Sequence, residues 1–196
     1  GRHRRKTQAM ATAVLGVVAL VSLALTAHAV PFTVTGSSGH RAASATFDTS
    51  GTHLIVTLTN TSTEDVLVPV DVLTAVFFTL AGDPTLTAVS AVLKPGSAVL
   101  FDPAPAGGVV GGEWGYVDGL AGAPGGADEG LSSSGYGLFS SATFPGPNLE
   151  GPAALAGLQY GITSAGDHPT TGNAAVTDGG FRLIQHAVVF TLSGLL

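Results

Sequence analysis

The chain has 196 residues, a formal net charge of −6 and no cysteine. Thirteen acidic residues against seven Lys and Arg exclude a phosphate-neutralising, nucleic-acid-binding surface, and the lack of cysteine excludes disulfides and thiolate metal sites. The stability of the fold must therefore come from apolar burial, and this length predicts one core in a single domain.

The first 29 residues predict a secretory signal peptide. The basic segment Arg2–Lys6 precedes an apolar stretch, and Ala27 and Ala29 place small residues at the two positions that signal peptidase reads. We therefore expect a signal helix over residues 1–29, with cleavage between Ala29 and Val30. The alternative interpretation is an uncleaved membrane anchor, because the apolar stretch approaches the length that spans a bilayer.

The next strong signal is a β-hairpin with one face in the core. Apolar and polar residues alternate on both sides of a short turn, Asp48-Thr49-Ser50-Gly51, and this period of two is typical of half-buried strands. The predicted inward-facing residues are Ala43, Ala45, Phe47, Leu54, Val56 and Leu58.

The rest of the mature chain is also rich in short β-prone segments separated by turns. The segments predicted as strands are 31–35, 73–80, 86–93, 97–101, 159–164 and 187–192. Pro152–Leu158 is the best candidate for a short helix. Many short strands with regular turn punctuation favour an all-β fold, and we predict an antiparallel β-sandwich, Ig-like or jelly-roll-like, over residues 30–196.

A glycine-rich stretch over residues 103–157 interrupts this pattern and contains Trp114, Tyr116 and Tyr136. We expect short strands and ordered loops that are pinned by aromatics and packed over one edge of the sandwich. The three aromatics are candidate ligand-binding residues, because aromatic rings on a loop can stack on sugars. The competing interpretation is that they fill the sandwich edge, since large aromatics dominate core burial.

The same stretch contains Asp118, Asp128 and Glu129, which are candidate metal ligands. Carboxylates and backbone carbonyls are the oxygen ligands that Ca²⁺ prefers. The competing interpretation is that they are solvated loop carboxylates that keep an exported protein soluble. No zinc motif and no EF-hand calcium loop occurs in the sequence.

No sequence motif predicts catalysis or a cofactor. The nucleophile-elbow pattern G-x-S-x-G is absent, and the glycine clusters lack both the lysine of a phosphate-binding loop and the strand–helix setting of a dinucleotide site. A hydrolase would need His168 or His186 beside a serine or a carboxylate in a pocket. We therefore expect a protein that is not an enzyme and carries no cofactor.

Several blocks of sequence resemble the exosortase-dependent bacterial surface proteins of the PEP-CTERM class. They are A-S-A-T-F-D-T-S-G-T-H-L-I-V-T-L from Ala43, G-G-V-V-G-G-E-W from Gly107, N-L-E-G-P-A from Asn148, Q-Y-G-I-T-S-A-G-D from Gln159 and V-V-F-T-L-S-G from Val188. Members of this family are similar in having an N-terminal signal and a C-terminal sorting tail that exosortase removes. The Pro-Glu-Pro motif of that tail is not found within the 196 residues.

The resemblance implies export in a Gram-negative bacterium that produces exopolysaccharide. We therefore expect a secreted or cell-surface protein, acting as a non-enzymatic component of the surface or the extracellular matrix. Its expected partners are signal peptidase, exosortase and exopolysaccharide. The alternative is a secreted carbohydrate- or calcium-binding β-sandwich module.

Overall fold

A computed structural model describes residues 30–134, 149 and 157–195 and, as backbone alone, residues 17–21. In these ranges the chain forms twelve strands and one short α-helix. The strands are β1 (Val17–Val21), β2 (Phe32–Ser38), β3 (Arg41–Ser50), β4 (His53–Asn60), β5 (Ala75–Leu80), β6 (Thr87–Leu93), β7 (Ala98–Leu100), β8 (Gly115–Val117), β9 (Glu129–Ser132), β10 (Ile162–Thr163), β11 (Leu183–Gln185) and β12 (Ala187–Ser193). The helix α1 spans Ala174–Thr177.

The first sheet is antiparallel throughout, with the strand order β2-β3-β4-β12-β6. Its centre is the predicted hairpin of β3 and β4, in which Ala45 pairs with Leu58 and Phe47 with Val56. Every predicted inward-facing residue of this hairpin is buried, while Ser44 and Thr57 on the opposite face are partly exposed. The hairpin prediction is confirmed.

The second sheet has the order β1-β5-β9-β8, and a small third sheet has the order β10-β11-β7. Most neighbours run antiparallel, but β1 pairs with β5 and β10 pairs with β11 in parallel. An isolated bridge between Leu73 and Ile162 connects the start of β5 to β10.

The largest core cluster includes side chains from both larger sheets. Phe47 of the first sheet meets Phe78 of the second edge-to-face, with ring centroids 5.2 Å apart. The largest fully buried side chains are Trp114, Phe47, Phe77, Phe78, Phe190, Leu54, Leu58, Leu131, Leu158, Ile162 and Leu183. The structure therefore confirms the predicted all-β, sandwich-like fold with antiparallel sheets.

Three details differ from the sequence-based expectations or lie beyond the described residues. Residues 17–21, predicted as part of a signal helix, form strand β1, in keeping with the β preference of a valine-rich segment. The rest of that helix, and residues 152–156 of the short helix candidate, lie outside the described residues. The glycine-rich stretch does not simply cover an edge, because it supplies β8 and β9 of the second sheet.

Among the residues that the structure describes, no helix has the length and apolar character needed to cross a membrane.

Candidate functional site

The most unusual polar group in the structure is the carboxyl of Glu129, at the start of β9. Glu129 is only 1% exposed. The ladder between β8 and β9 brings Tyr116 beside it, and the Tyr116 hydroxyl donates a 3.1 Å hydrogen bond to Glu129 Oε1. The other oxygen, Oε2, is buried without a hydrogen-bond partner. A buried carboxylate with an unpaired oxygen is energetically costly, so the group favours its neutral form.

The surroundings of this carboxyl reinforce that preference. Burial raises the pKa of Glu129 to about 8, although the Tyr116 hydrogen bond opposes the rise, and the charges of Asp118, Asp128 and Asp83 raise it further. Burial, together with the neighbouring Glu129, also raises the pKa of the Tyr116 hydroxyl. The surroundings of the pair therefore favour the neutral form of both groups.

The predicted metal ligands do not converge into a metal site. Asp118 is exposed, Asp128 is half-buried and Glu129 is buried. Within the described parts of the chain, no group of three or more His, Asp or Glu side chains is arranged to hold a metal ion. Asp128 immediately precedes β9, and Glu129, the first residue of β9, is buried in the core, so the predicted metal site is wrong.

The predicted aromatic platform is also not on the surface. Trp114 is 0% exposed, its ring lies edge-on to Phe190 with centroids 4.8 Å apart, and its Nε1 donates a 3.2 Å hydrogen bond to the Tyr160 carbonyl. Tyr116 is 3% exposed. The prediction of a sugar-stacking face is therefore wrong for Trp114 and Tyr116, which fill the core instead. Tyr136 lies outside the described residues.

The predicted cleavage site is only partly within the described chain. Ala27 and Ala29 lie outside it, whereas Val30 is 83% exposed and β2 begins two residues later at Phe32. The bond that signal peptidase would cut therefore immediately precedes the first strand of the first sheet.

A polar network that the sequence did not reveal centres on Asp71. Asp71 Oδ1 accepts hydrogen bonds from His40 Nε2 at 2.9 Å and from Arg41 Nε at 2.8 Å, while Oδ2 accepts from the backbone N–H groups of Leu67 and Val68. Burial would raise the pKa of Asp71, but these donors outweigh it and lower the pKa. These hydrogen bonds connect the β2–β3 turn to the loop before β5.

The two histidines that a hydrolase would need both take part in hydrogen bonds within the fold. His168 Nδ1 shares a 3.0 Å hydrogen bond with the Thr170 hydroxyl, and its backbone N–H donates to Asp65. The backbone carbonyl of His186 accepts from the Asn60 N–H. These contacts hold loops and strand ends in place.

Arg182, just before β11, and Asp102, just after β7, form an ion pair beside the paired ends of these two strands. Nearby, Glu113 has a buried Oε2 without a hydrogen-bond partner, and burial raises its pKa while the charge of Arg182 lowers it. No sequence motif predicts this cluster, because Arg182 lies far along the chain from Asp102 and Glu113.

Comparison of the chain with protein-family models, with curated proteins and with solved structures finds no match.

Proposed function

We propose that this chain is an exported, non-enzymatic component of the cell surface or extracellular matrix of an exopolysaccharide-producing bacterium, sorted by an exosortase pathway. The observation that carries the proposal is the position of the folded domain relative to the leader. Val30, the first residue after the predicted cut, is 83% exposed, and β2 starts at Phe32. Cleavage there would release the first sheet with all five of its strands.

The use of polar side chains supports a structural role. His40 and Arg41 donate hydrogen bonds to Asp71 and so connect a turn to a loop. The side-chain amide of Asn60 donates to the Ile162 carbonyl. The Asp167 carboxylate accepts from the Val66 N–H. Each of these contacts joins segments that lie far apart in the sequence. Such contacts stabilise the loops of a domain that has no disulfides.

The surface of the mature part also fits an exported matrix protein. Most of the basic residues lie before Val30 and all acidic residues follow it, so the processed chain is more acidic than the whole. The outer face of the first sheet carries hydroxyl groups, and Thr33 and Thr46 share a 2.8 Å hydrogen bond across β2 and β3. A charged, hydroxyl-rich surface remains soluble in a hydrated polysaccharide layer.

The test is the fate of the natural full-length protein in an exosortase-bearing Gram-negative host. We expect the protein in the surface and medium fractions, with a mature N-terminus at Val30 by intact mass and N-terminal sequencing. The Ala27→Phe/Ala29→Phe double variant should retain its leader and remain with the inner membrane, whereas the Ala27→Ser/Ala29→Ser control should be processed normally.

Deletion of the host exosortase gene provides the second arm of the test. We expect the signal to be removed as before, while the distribution of the protein between the cell surface and the medium changes. A full-length, unprocessed protein in the cytoplasm would contradict the proposal, and an unchanged distribution without exosortase would contradict its sorting step.

A further inference from the structure

The edge of the second sheet is closed by a strand from the predicted leader. β1 runs parallel to β5 along five of its six residues, from Val17 opposite Val76 to Val21 opposite Leu80. It also lies against β2 and β3 of the first sheet. β1 therefore covers one open side of the sandwich and is the outermost strand of its sheet.

Removal of the leader would leave that side incomplete. β9 pairs with Ala75–Phe78, so within the described chain Thr79 and Leu80 have their ladder partners only in β1. Without β1 the first sheet keeps five strands while the second keeps β5, β9 and β8. The backbone groups of β5 that point away from β9 would then lose their partners. An unpaired edge of this kind is a template for another strand.

The chemistry beside this edge favours an apolar strand. β5 reads A-V-F-F-T-L and carries no charge. On β2, the first-sheet strand near β1, Phe32 is 39% exposed and Val34 packs against the main core cluster. The segment that fills the edge, V-V-A-L-V, is likewise uncharged and aliphatic. An incoming charged strand would have to lose its hydration against these apolar side chains.

The direction of the ladder distinguishes between a second copy and a different polypeptide. Two copies of one edge strand related by a two-fold axis pair antiparallel, because the same residues must exchange hydrogen bonds in both directions. The ladder at β5 is parallel. The position of β1 therefore suits a different segment better than it suits the β5 edge of a second copy.

We infer that, once the leader is removed, the β5 edge binds an extended, uncharged aliphatic segment of another protein by β-strand addition, in the place and direction of β1. The inference rests on the proposed function, because processing is what frees the edge. Strand addition of this kind takes its affinity from main-chain hydrogen bonds and its specificity from alternate side chains. It would give a matrix protein a means of joining another polypeptide.

The experiment uses the processed protein recovered from the exporting host, labelled with ¹⁵N. It is titrated with a synthetic peptide of residues 16–22, flanked by lysines for solubility. We expect saturable binding that slows amide exchange at the β5 edge by about tenfold or more, with chemical-shift changes confined to β5, β2 and β3. The unprocessed chain, purified from the cytoplasm of a host in which export is blocked, should bind no peptide, because its own β1 fills the edge.

A peptide with Val18→Pro and Ala19→Pro is the matched control. In a strand, the N–H groups of successive residues point in opposite directions, so either residue 18 or residue 19 of the peptide directs its N–H toward β5. Replacing both residues with proline therefore removes one donor to β5 in either case. This peptide should bind at least about tenfold more weakly, which corresponds to 1.4 kcal/mol. Equal binding of the two peptides would overturn strand addition.

Three other outcomes would also overturn the inference. The first is a processed protein that does not bind the leader peptide. The second is a processed protein that sediments as a dimer with β5 already protected, because the occupant would then be a second copy. The third is a chain that keeps its leader after export, because the edge would never be free. Only the last of these also contradicts the proposed function, and the intact mass identifies it before any titration.

Discussion

The two larger sheets bury their apolar side chains in different ways. The first sheet uses regular alternation: β3 and β4 pair over eight consecutive positions, and their inward residues form a continuous apolar layer. The second sheet uses short strands from a glycine-rich stretch, a buried carboxyl and the strand β1 from the N-terminal apolar segment. A strand pair that is regular over its whole length can be recognised locally, whereas the second sheet depends on contacts between distant segments.

The largest expected effect comes from the side chain that connects the two regions. Trp114→Ala would leave a cavity beside Phe190 and should lower the free energy of unfolding by about 3–5 kcal/mol. The measurement is urea denaturation followed by far-UV circular dichroism, since Trp114 is the single tryptophan. Trp114→Phe should recover part of the loss. A cost below about 1 kcal/mol for Trp114→Ala would indicate a surface position and restore the ligand-platform interpretation.

The next effect tests the loop that holds the start of the second sheet. Asp71→Asn removes the charge that His40 and Arg41 share, and should cost about 1–3 kcal/mol at pH 7. Because the pKa of Asp71 is lowered in the folded state, this stabilisation is present above the ordinary value of 3.8 and is lost as the pH falls below it. The difference between the two proteins should therefore shrink in acid.

The control for this variant is Asp178→Asn, which changes an exposed carboxylate in a local turn. It should alter the unfolding free energy by less than about 0.5 kcal/mol at either pH. A cost that is the same for Asp71→Asn at pH 7 and pH 3 would contradict the electrostatic account of the network.

A smaller effect with the opposite pH dependence is expected at Glu129. Its pKa is raised to about 8 in the folded state, so the folded protein keeps a proton that the unfolded chain releases above 4.5. Rising pH between these values therefore favours unfolding. Glu129→Gln keeps the acceptor for Tyr116 without the ionisable group, and should be about 1–2 kcal/mol more stable than the parent protein at pH 9.

At pH 5, where the parent carboxyl is neutral, the Glu129→Gln variant and the parent should have similar stability. Glu64→Gln, at an exposed position, serves as the control and should leave the slope of stability against pH unchanged. A parent protein whose stability does not fall between pH 5 and pH 9 would show that Glu129 is ionised, and therefore better paired than its environment indicates.

The smallest expected effect lies on the outer face of the first sheet. Thr46→Val removes the hydroxyl that pairs with Thr33 but keeps a β-branched side chain. The loss of one exposed hydrogen bond should change the free energy of unfolding by about 0.5 kcal/mol or less. Thermal denaturation of the pair of single variants, Thr33→Val and Thr46→Val, measures it. A cost above about 2 kcal/mol would show that this face is packed against something.

The sequence predicted the first sheet better than the second for a physical reason. The alternation of apolar and polar residues around Phe47 and Val56 is local, so the buried face of each strand can be predicted from that strand's own sequence. The position of Trp114 depends on contacts with Phe190 and Tyr160, which lie far away in the chain. The sequence alone therefore did not decide whether Trp114 lies in the core or on the surface. Asp71 likewise contacts His40 and Arg41 only in the folded chain, and no residue spacing within one segment predicts this contact.

For the candidate site, the sequence predicted which residues take part but not how they are arranged. Glu129 was identified as a functional candidate together with Asp128, but the sequence could not show that Glu129 is buried while Asp128 is only half-buried. The pairing of β1 with β5 was missed because an apolar, valine-rich segment fits a helix and a strand equally well by composition.

Hydrogen exchange on the processed, exported protein tests the central comparison most directly. The amides of β3, β4 and β12 should exchange at the rate of global unfolding, whereas the β5 amides that face away from β9 should exchange at least about a hundredfold faster. Equal protection of the β5 edge and the first sheet, in a processed protein without a bound partner, would contradict the account of a sandwich with one complete sheet and one open edge.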